Sequence, residues 1–240
     1  MRLSGYRNIV VLTGAGISHS AGLPIYRGAG GLWSDPELAM LSSVRGLLEQ
    51  RERVCDLFWR FRGDIVKAEP TPAHRALAAF EQGLPAETRF LIITQNVDGL
   101  HQRAGSRSVC EYHGSLARWR CERCGAARVP GDAPGDAVPG HDVPVPACCG
   151  ERMRPDVVLF GELIPVAAEH AAKQALRDCD LFVAIGTSGT VAPASSFVRW
   201  AALNGARTVL LNRELFDGAR ELFGELETGL ADELVPRWFV

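Results

Sequence analysis

The chain has 240 residues, with 26 Lys and Arg against 28 Asp and Glu, a formal net charge of −2, and 47% apolar residues. That length buries one substantial core with room for a small appended module, and the near balance of charge argues against a general nucleic-acid binder. No stretch approaches the ~20 consecutive apolar residues of a membrane span, so no membrane partner is expected.

The N-terminal "MRLSGYRNIVVLTG" enters a strand too soon to be a signal peptide, and seven cysteines, an odd number, favour metal or free thiols over disulfides. Both point to a cytoplasmic protein. Lys67 and Lys173 are the only lysines.

In chain order, "NIVVLT" (8–13) reads as a strand that stops at the glycine-rich "GAGIS". A strand ending in such a turn delivers the chain to a phosphate. The glycine code of hydride-transfer folds fails, because after Gly14 and Gly16 the third position is His19, and a P-loop would need a lysine. Pro24 forbids a long helix, so a short helical turn and a loop carrying Arg27 are expected.

Helical patterns follow at 36–49, 50–66 and 72–83, then a second strand, "RFLIITQ" (89–95). Its loop places Gln95, Asn96 and Asp98 together; alternation along an extended chain would turn Asn96 and Asp98 to one side. A short strand "SVCEYH" ends at His113, with Gly114 leaving room for a ligand, and histidine is the usual general base. Residues 121–150 are dense in Gly and Pro and flanked by cysteines, which reads as an inserted module held by metal. Helical patterns at 165–178, 193–204 and 230–237 alternate with strands "DLFVAIG" (180–186) and "RTVLLN" (207–212). These runs are apolar on both faces, as in buried parallel strands, and define a doubly wound, Rossmann-like α/β sheet with its ligand loops at the strands' carboxyl ends.

The expected organisation is a nucleotide-binding domain from 1–35, 86–120 and 155–240, a helical insertion at 36–85 and a cysteine module at 121–154.

The segments "GAGIS", "GLPIYR", "TQNVDGLH", "YHG", "CERC", "RPDVVLFGE", "GTSGTVAPA" and "LLNRE" stand in the order and spacing of a sirtuin. The likeness runs from about residue 8 to 238, and "RGAGGLW" (27–33) resembles the bacterial and mitochondrial branch. The resemblance implies an NAD-dependent protein-lysine deacylase: the acyl-lysine amide oxygen attacks the ribose carbon bearing nicotinamide, nicotinamide leaves, and the acyl group ends on ADP-ribose. By matching motif, Gly14, Ala15, Gly16 and Ser18 would cradle the pyrophosphate and its ribose, and Arg27 would close over them. Asn96, Val97 and Asp98 would bound the nicotinamide pocket, Asp98 holding the carboxamide, with Gln95 also binding the cofactor and Asn96 counted as catalytic beside the general base His113. Gly186, Thr187, Ser188, Asn212 and Ala231 would hold the adenosine half. Val157, Val158, Phe160, Gly161 and Glu162 would receive the acylated substrate as an added strand.

Two places depart from the family pattern. The second cysteine pair is adjacent, Cys148 and Cys149, where the family has two residues between; a zinc held by Cys121, Cys124 and Cys149 would take Cys148 or His141 as its fourth ligand, and complete loss of zinc is the third alternative. Where relatives that remove succinyl groups carry a Tyr-x-x-Arg pair, this chain has Phe58 and Phe61, with Arg62 one turn from Phe58. Both rings would line the acyl pocket and favour neutral acyl groups. A mono-ADP-ribosyltransferase and a non-enzymatic NAD-binding module are the competing readings, and the sequence does not give the oligomeric state.

Overall fold

The computed structural model describes residues 5–26, 31–130 and 145–240; Arg27 and His141 lie outside the described residues. The chain begins with β1 (Asn8–Thr13), followed by α1 (Pro36–Leu41), α2 (Val44–Glu49), α3 (Arg51–Lys67), α4 (Pro72–Gly83), β2 (Arg89–Thr94), the single turn α5 (Leu100–Arg103) and β3 (Val109–Glu111). Five short strands come next: β4 (Gly114–Arg120), β5 (Ala127–Arg128), β6 (Ala147–Cys148), β7 (Glu151–Arg152) and β8 (Arg154–Val157). The chain ends with α6 (Val166–Arg177), β9 (Leu181–Ile185), α7 (Phe197–Leu203), β10 (Arg207–Asn212), α8 (Ala219–Leu222), β11 (Glu225–Thr228) and α9 (Ala231–Trp238).

Six strands form one parallel sheet in the order β11-β10-β9-β1-β2-β3. Alternate residues of each strand feed two different cores. Ile9, Val11, Ile92, Val183 and Val209 pack with Leu77 of α4 and Leu234, Val235 and Trp238 of α9. Val10, Leu12, Ile93, Phe182 and Leu210 face the other way, onto Ala172 and Leu176 of α6 and Phe197, Val198 and Ala201 of α7. Burial on both faces is why these strands read as unbroken apolar runs. The strand order reverses between β1 and β9, so a crevice opens outside their carboxyl ends.

A third core lies beside the sheet. Leu47 of α2, Val54, Phe58 and Ile65 of α3, Leu116 and Trp119 of β4, Met153 and Val157 pack together there. Its scaffold is the antiparallel sheet β5-β4-β8 and the hairpin β6-β7. The insertion's share of this core ends at Ala68, because α4 turns back onto the main sheet.

The pattern at 36–49 resolves into two helices. Asp35 caps the first by accepting the Glu37 N–H at 2.8 Å, and Ser43 caps the second by accepting the Gly46 N–H at 3.1 Å.

Candidate active site

The crevice between β1 and β9 is floored by bare backbone. The Gly14 N–H donates to the Ile185 carbonyl at 3.0 Å and the Gly16 N–H to that of Gly186 at 2.9 Å. Gly186 has φ +61°, and a Cβ there would lie 2.6 Å from the Ile17 nitrogen; one on Gly16 would lie 2.6 Å from the Gly186 Cα. No side chain fits at either position, so the two loops close on each other and leave a smooth shelf. After Gly14 the chain makes only two short 3-10 turns, Ala15–Ile17 and His19–Ala21, as Pro24 foretells.

Above the shelf lies a cleft of about 1050 Å³, lined by Gly14, Ala15 and Gly16, by Gln95, Asn96, Val97 and His113, and by Gly186, Thr187, Ser188, Asn212 and Ala231. Ser18 and Asp98 stand one layer behind this lining. The Asn96 amide donates to the Gly14 carbonyl at 3.1 Å and to the Ser18 hydroxyl at 3.2 Å. Ser18 in turn donates to Asp98 at 2.7 Å, and the Leu100 N–H donates to the other Asp98 oxygen at 2.9 Å. Burial pushes the Asp98 carboxyl above its usual range, and these donors oppose it. The network ties the loop after β2 to the glycine shelf.

His113 closes one side. Its Nδ1 lies 3.1 Å from the Gln95 carbonyl oxygen, which makes Nδ1 the protonated nitrogen and leaves Nε2 with a lone pair. Burial holds its pKa below the ordinary value, partly offset by the Gln95 bond. The Gln95 side chain donates to Thr187 Oγ1 at 3.1 Å, so one residue spans the base and the loop after β9. On that side Asn212 donates to the carbonyls of Thr187 at 3.0 Å and Glu214 at 2.8 Å.

The opposite wall is the segment after β8. Val158, Phe160, Gly161 and Glu162 line the cleft; Val157 is buried and pairs with Gly114. The Val158 N–H donates to the His113 carbonyl at 2.9 Å. Phe160 bonds through both its N–H and its carbonyl to Ser42 and Val44. The Glu162 carboxylate turns inward to Arg154 rather than toward an incoming substrate. Tyr26 stacks on Trp33 at 5.2 Å, and Trp33 meets the Phe160 ring edge-on at 5.4 Å.

Phe58, Phe61 and Arg62 do not line the cleft among its described residues. Phe58 and Phe61 meet edge to face at 5.9 Å within the third core. The Arg62 guanidinium donates to the Pro130 carbonyl at 3.1 Å and lies 5.4 Å from the Trp59 ring centroid. An aromatic pair at i, i+3 on an amphipathic helix is here a packing pair. Among the apolar residues that line the cleft, Tyr26, Trp33 and Ile164 carry no mark in periodicity; Tyr26 and Trp33 were signalled by "GLPIYR" and "RGAGGLW", and Ile164 by nothing.

Cys121, Cys124, Cys148 and Cys149 bring their four Sγ atoms within 4.8 Å of one another. Adjacent residues of a strand point to opposite faces, but Cys149 has φ +54° and Gly150 φ +83°, so the β6-β7 turn is left-handed at both central residues. That turn lets neighbouring cysteines converge. Their Sγ atoms are 3.8 Å apart, and Cys124 and Cys148 are 3.6 Å apart; a tetrahedron with Zn–S of about 2.3 Å has edges of about 3.8 Å. The donor set fits zinc.

Fold and cleft together define an α/β protein that binds its ligand at the sheet's switch point, with a neutral histidine facing a glycine shelf and a four-cysteine module alongside. The sequence pattern of the Sir2 family matches residues 14–193, and the chain belongs to that family. It is 42% identical to an NAD-dependent protein deacylase of Thermus thermophilus over 89% of this chain and 82% of that one. It is 41% identical to NAD-dependent protein deacylase 2 of Pyrobaculum aerophilum over 98% and 91%. Among solved structures, a mutant Sir2 homologue with ADP-ribose superposes with a TM-score of 0.86 at 32% identity, covering 98% of this chain and 91% of that one. A Sir2 homologue–NAD complex gives 0.83 at 31% identity over 98% and 89%.

Proposed function

We propose that the protein removes acyl groups from protein lysines with NAD as cosubstrate, releasing nicotinamide, free lysine and O-acyl-ADP-ribose. The observation that carries this is the placement of His113, with Nδ1 fixed and Nε2 unprotonated, across one cleft from the glycine shelf. A binding module needs a shelf but no base. The family membership and the deacylases named above support the same reading.

In this reading Gly14, Ala15 and Gly16 receive the pyrophosphate, which the absence of side chains at the two glycines lets approach the backbone closely, with Ser18 behind them. Asn96 and Val97 border the nicotinamide end, and Asp98 orients Asn96 through Ser18. Gly186, Thr187, Ser188, Asn212 and Ala231 hold the adenosine half. His113 accepts a proton from a ribose hydroxyl, so that the hydroxyl oxygen attacks the carbon of the alkylated amide. The closed glycine floor keeps water from that carbon. The acylated lysine enters between Val158–Gly161 and Thr190–Pro193, both of which line the cleft. A zinc on the four cysteines would supply no chemistry to the acyl transfer, only a clamp on the β6-β7 turn.

We further propose a preference for neutral acyl chains. Phe58 and Phe61 do not support it; the support is the wall of Tyr26, Trp33, Val97, Val158, Phe160 and Ile164. A cytosolic location fits seven cysteines that are all free, and among the described residues no helix is long and apolar enough to cross a membrane.

The test is to incubate the protein with NAD and an acetylated peptide. Nicotinamide and O-acetyl-ADP-ribose in equal amounts support the reading; ADP-ribose attached to protein in their place would make the enzyme a transferase to protein.

A further inference from the structure

Arg154 carries a guanidinium with no exposed surface. Its Nη1 donates to one Glu162 oxygen at 2.5 Å and its Nη2 to the other at 3.0 Å, a two-pronged pair. Nη2 also donates to the Val157 carbonyl at 2.8 Å and Nε to that of Pro155 at 3.2 Å. Glu122 stands 3.6 Å from Nη1 and is itself bonded to Arg51 at 2.6 Å. Glu162 accepts a third bond, from the Leu159 N–H at 2.8 Å, and a fourth from Arg120 at 3.4 Å. The segment from Val157 to Glu162 is thereby closed into a loop by one buried ion pair, and this loop is the wall of the cleft opposite the glycine shelf.

We propose that Arg154 is a positioning residue for the acylated substrate: through Glu162 and the Val157 carbonyl it sets where Val158, Phe160 and Gly161 present themselves to the incoming chain. The inference rests on the deacylase reading for what enters the cleft. The shelf that would hold NAD is fixed separately, by the bonds of Gly14 and Gly16 to the β9 loop. Loss of the Arg154–Glu162 pair therefore acts on one substrate and spares the other. A role in stability alone would act on both or on neither.

Two variants test this. Glu162→Gln keeps shape and removes the charge; Arg154→Met/Glu162→Leu leaves no buried charge unpaired, the change that a fold tolerates best. Backbone hydrogen exchange at residues 158–161, the KM for an acetylated peptide and the Kd for NAD are measured on the full chain. The expected result is faster exchange at those amides in both variants, a KM for the peptide raised about tenfold, the scale of a small misplacement of a binding group, and an unchanged Kd for NAD. Arg154→Lys, which offers a point charge in place of a fork, should fall between wild type and Glu162→Gln. Unchanged exchange and peptide KM in a variant that only melts earlier would overturn the proposal, as would parallel losses for peptide and NAD. If wild type does not deacylate, the deacylase reading fails by itself, and the exchange data still decide whether Arg154 holds the wall.

Discussion

The Nδ1 atom of His113 lies 3.1 Å from the Gln95 carbonyl oxygen. Because that oxygen only accepts, the imidazole proton is committed to Nδ1 and the basic lone pair to Nε2. Burial lowers the pKa from its ordinary 6.5, so the neutral form persists to lower pH than for a free histidine. Turnover should hold as pH drops to 6.5 and fall only below it, where Nε2 takes a proton. His113→Ala should lower deacylation by at least about a hundredfold, the usual contribution of a general base, while NAD still binds. A pH–rate profile and NAD titration of the variant check both points; an acid limb centred above 6.5 would assign it to another group.

A second histidine pair governs stability. His74 and His101 are both buried, with ring centroids 4.7 Å apart. Burial pushes His74 down to about 4 and His101 well below its ordinary value. Between pH 6.5 and 4 the unfolded chain binds protons that the native state refuses, so stability falls as pH falls through that window. For His74 alone the loss by pH 4 is about 3 kcal/mol. His74 occupies the third position of α4 and accepts the Thr71 N–H, the place a capping box gives to Glu or Gln. His74→Gln should keep the cap and remove the titration, flattening the dependence of the urea midpoint between pH 7 and 4.5. An unchanged slope would move the acid sensitivity to His101.

The elements that bury both faces or carry a turn code were legible in the sequence. Asn8–Thr13, Arg207–Asn212 and Pro72–Gly83 match the expected bounds because each is an apolar run or a Pro-led helix with clear stops. β11 was not, since Glu225–Thr228 is a four-residue, half-exposed edge strand with one leucine, too short to show a period. The antiparallel β4 and β8 were missed for another reason: Trp119 and Arg154 are fully buried by contacts far along the chain, which local pattern does not encode. The glycine shelf and His113 were legible through their turns, whereas the surroundings of Phe58 and Phe61 were not, because helical spacing gives the shared face of two residues and not what that face meets.

The four cysteines should hold about one zinc per chain. Cys149 is, among the described residues, the one non-glycine residue with a left-handed backbone, and its conformation brings the fourth sulfur in. Cys149→Ser and Cys148→Ser should each reduce retained zinc, and His141→Ala should not. Zinc analysis after dialysis against a mild chelator checks this; zinc lost from His141→Ala and kept in Cys148→Ser would exchange one ligand for the other. Removing the metal should lower the melting temperature, because its binding energy is folding energy of the β6-β7 turn.

The proposed acyl preference depends on the apolar residues that line the cleft. With Phe58 and Phe61 packed in the third core, the proposed preference depends on Tyr26, Trp33, Val97, Val158, Phe160 and Ile164, and the lining cation among the described residues is Arg213, on the loop after β10 beside Asn212. A succinyl carboxylate placed against the aromatic wall would lose its water without a guanidinium fork to replace it, typically costing several kcal/mol. Each methylene of a neutral chain gains about 0.8 kcal/mol on burial there. On one peptide, kcat/KM should therefore rise from acetyl to butyryl and fall for succinyl. Phe61→Arg should destabilise the protein by overfilling and charging the third core, without creating desuccinylase activity. A stable Phe61→Arg protein that gains succinyl-lysine turnover would return Phe61 to the acyl pocket and show that α3 approaches the cleft when substrate is bound.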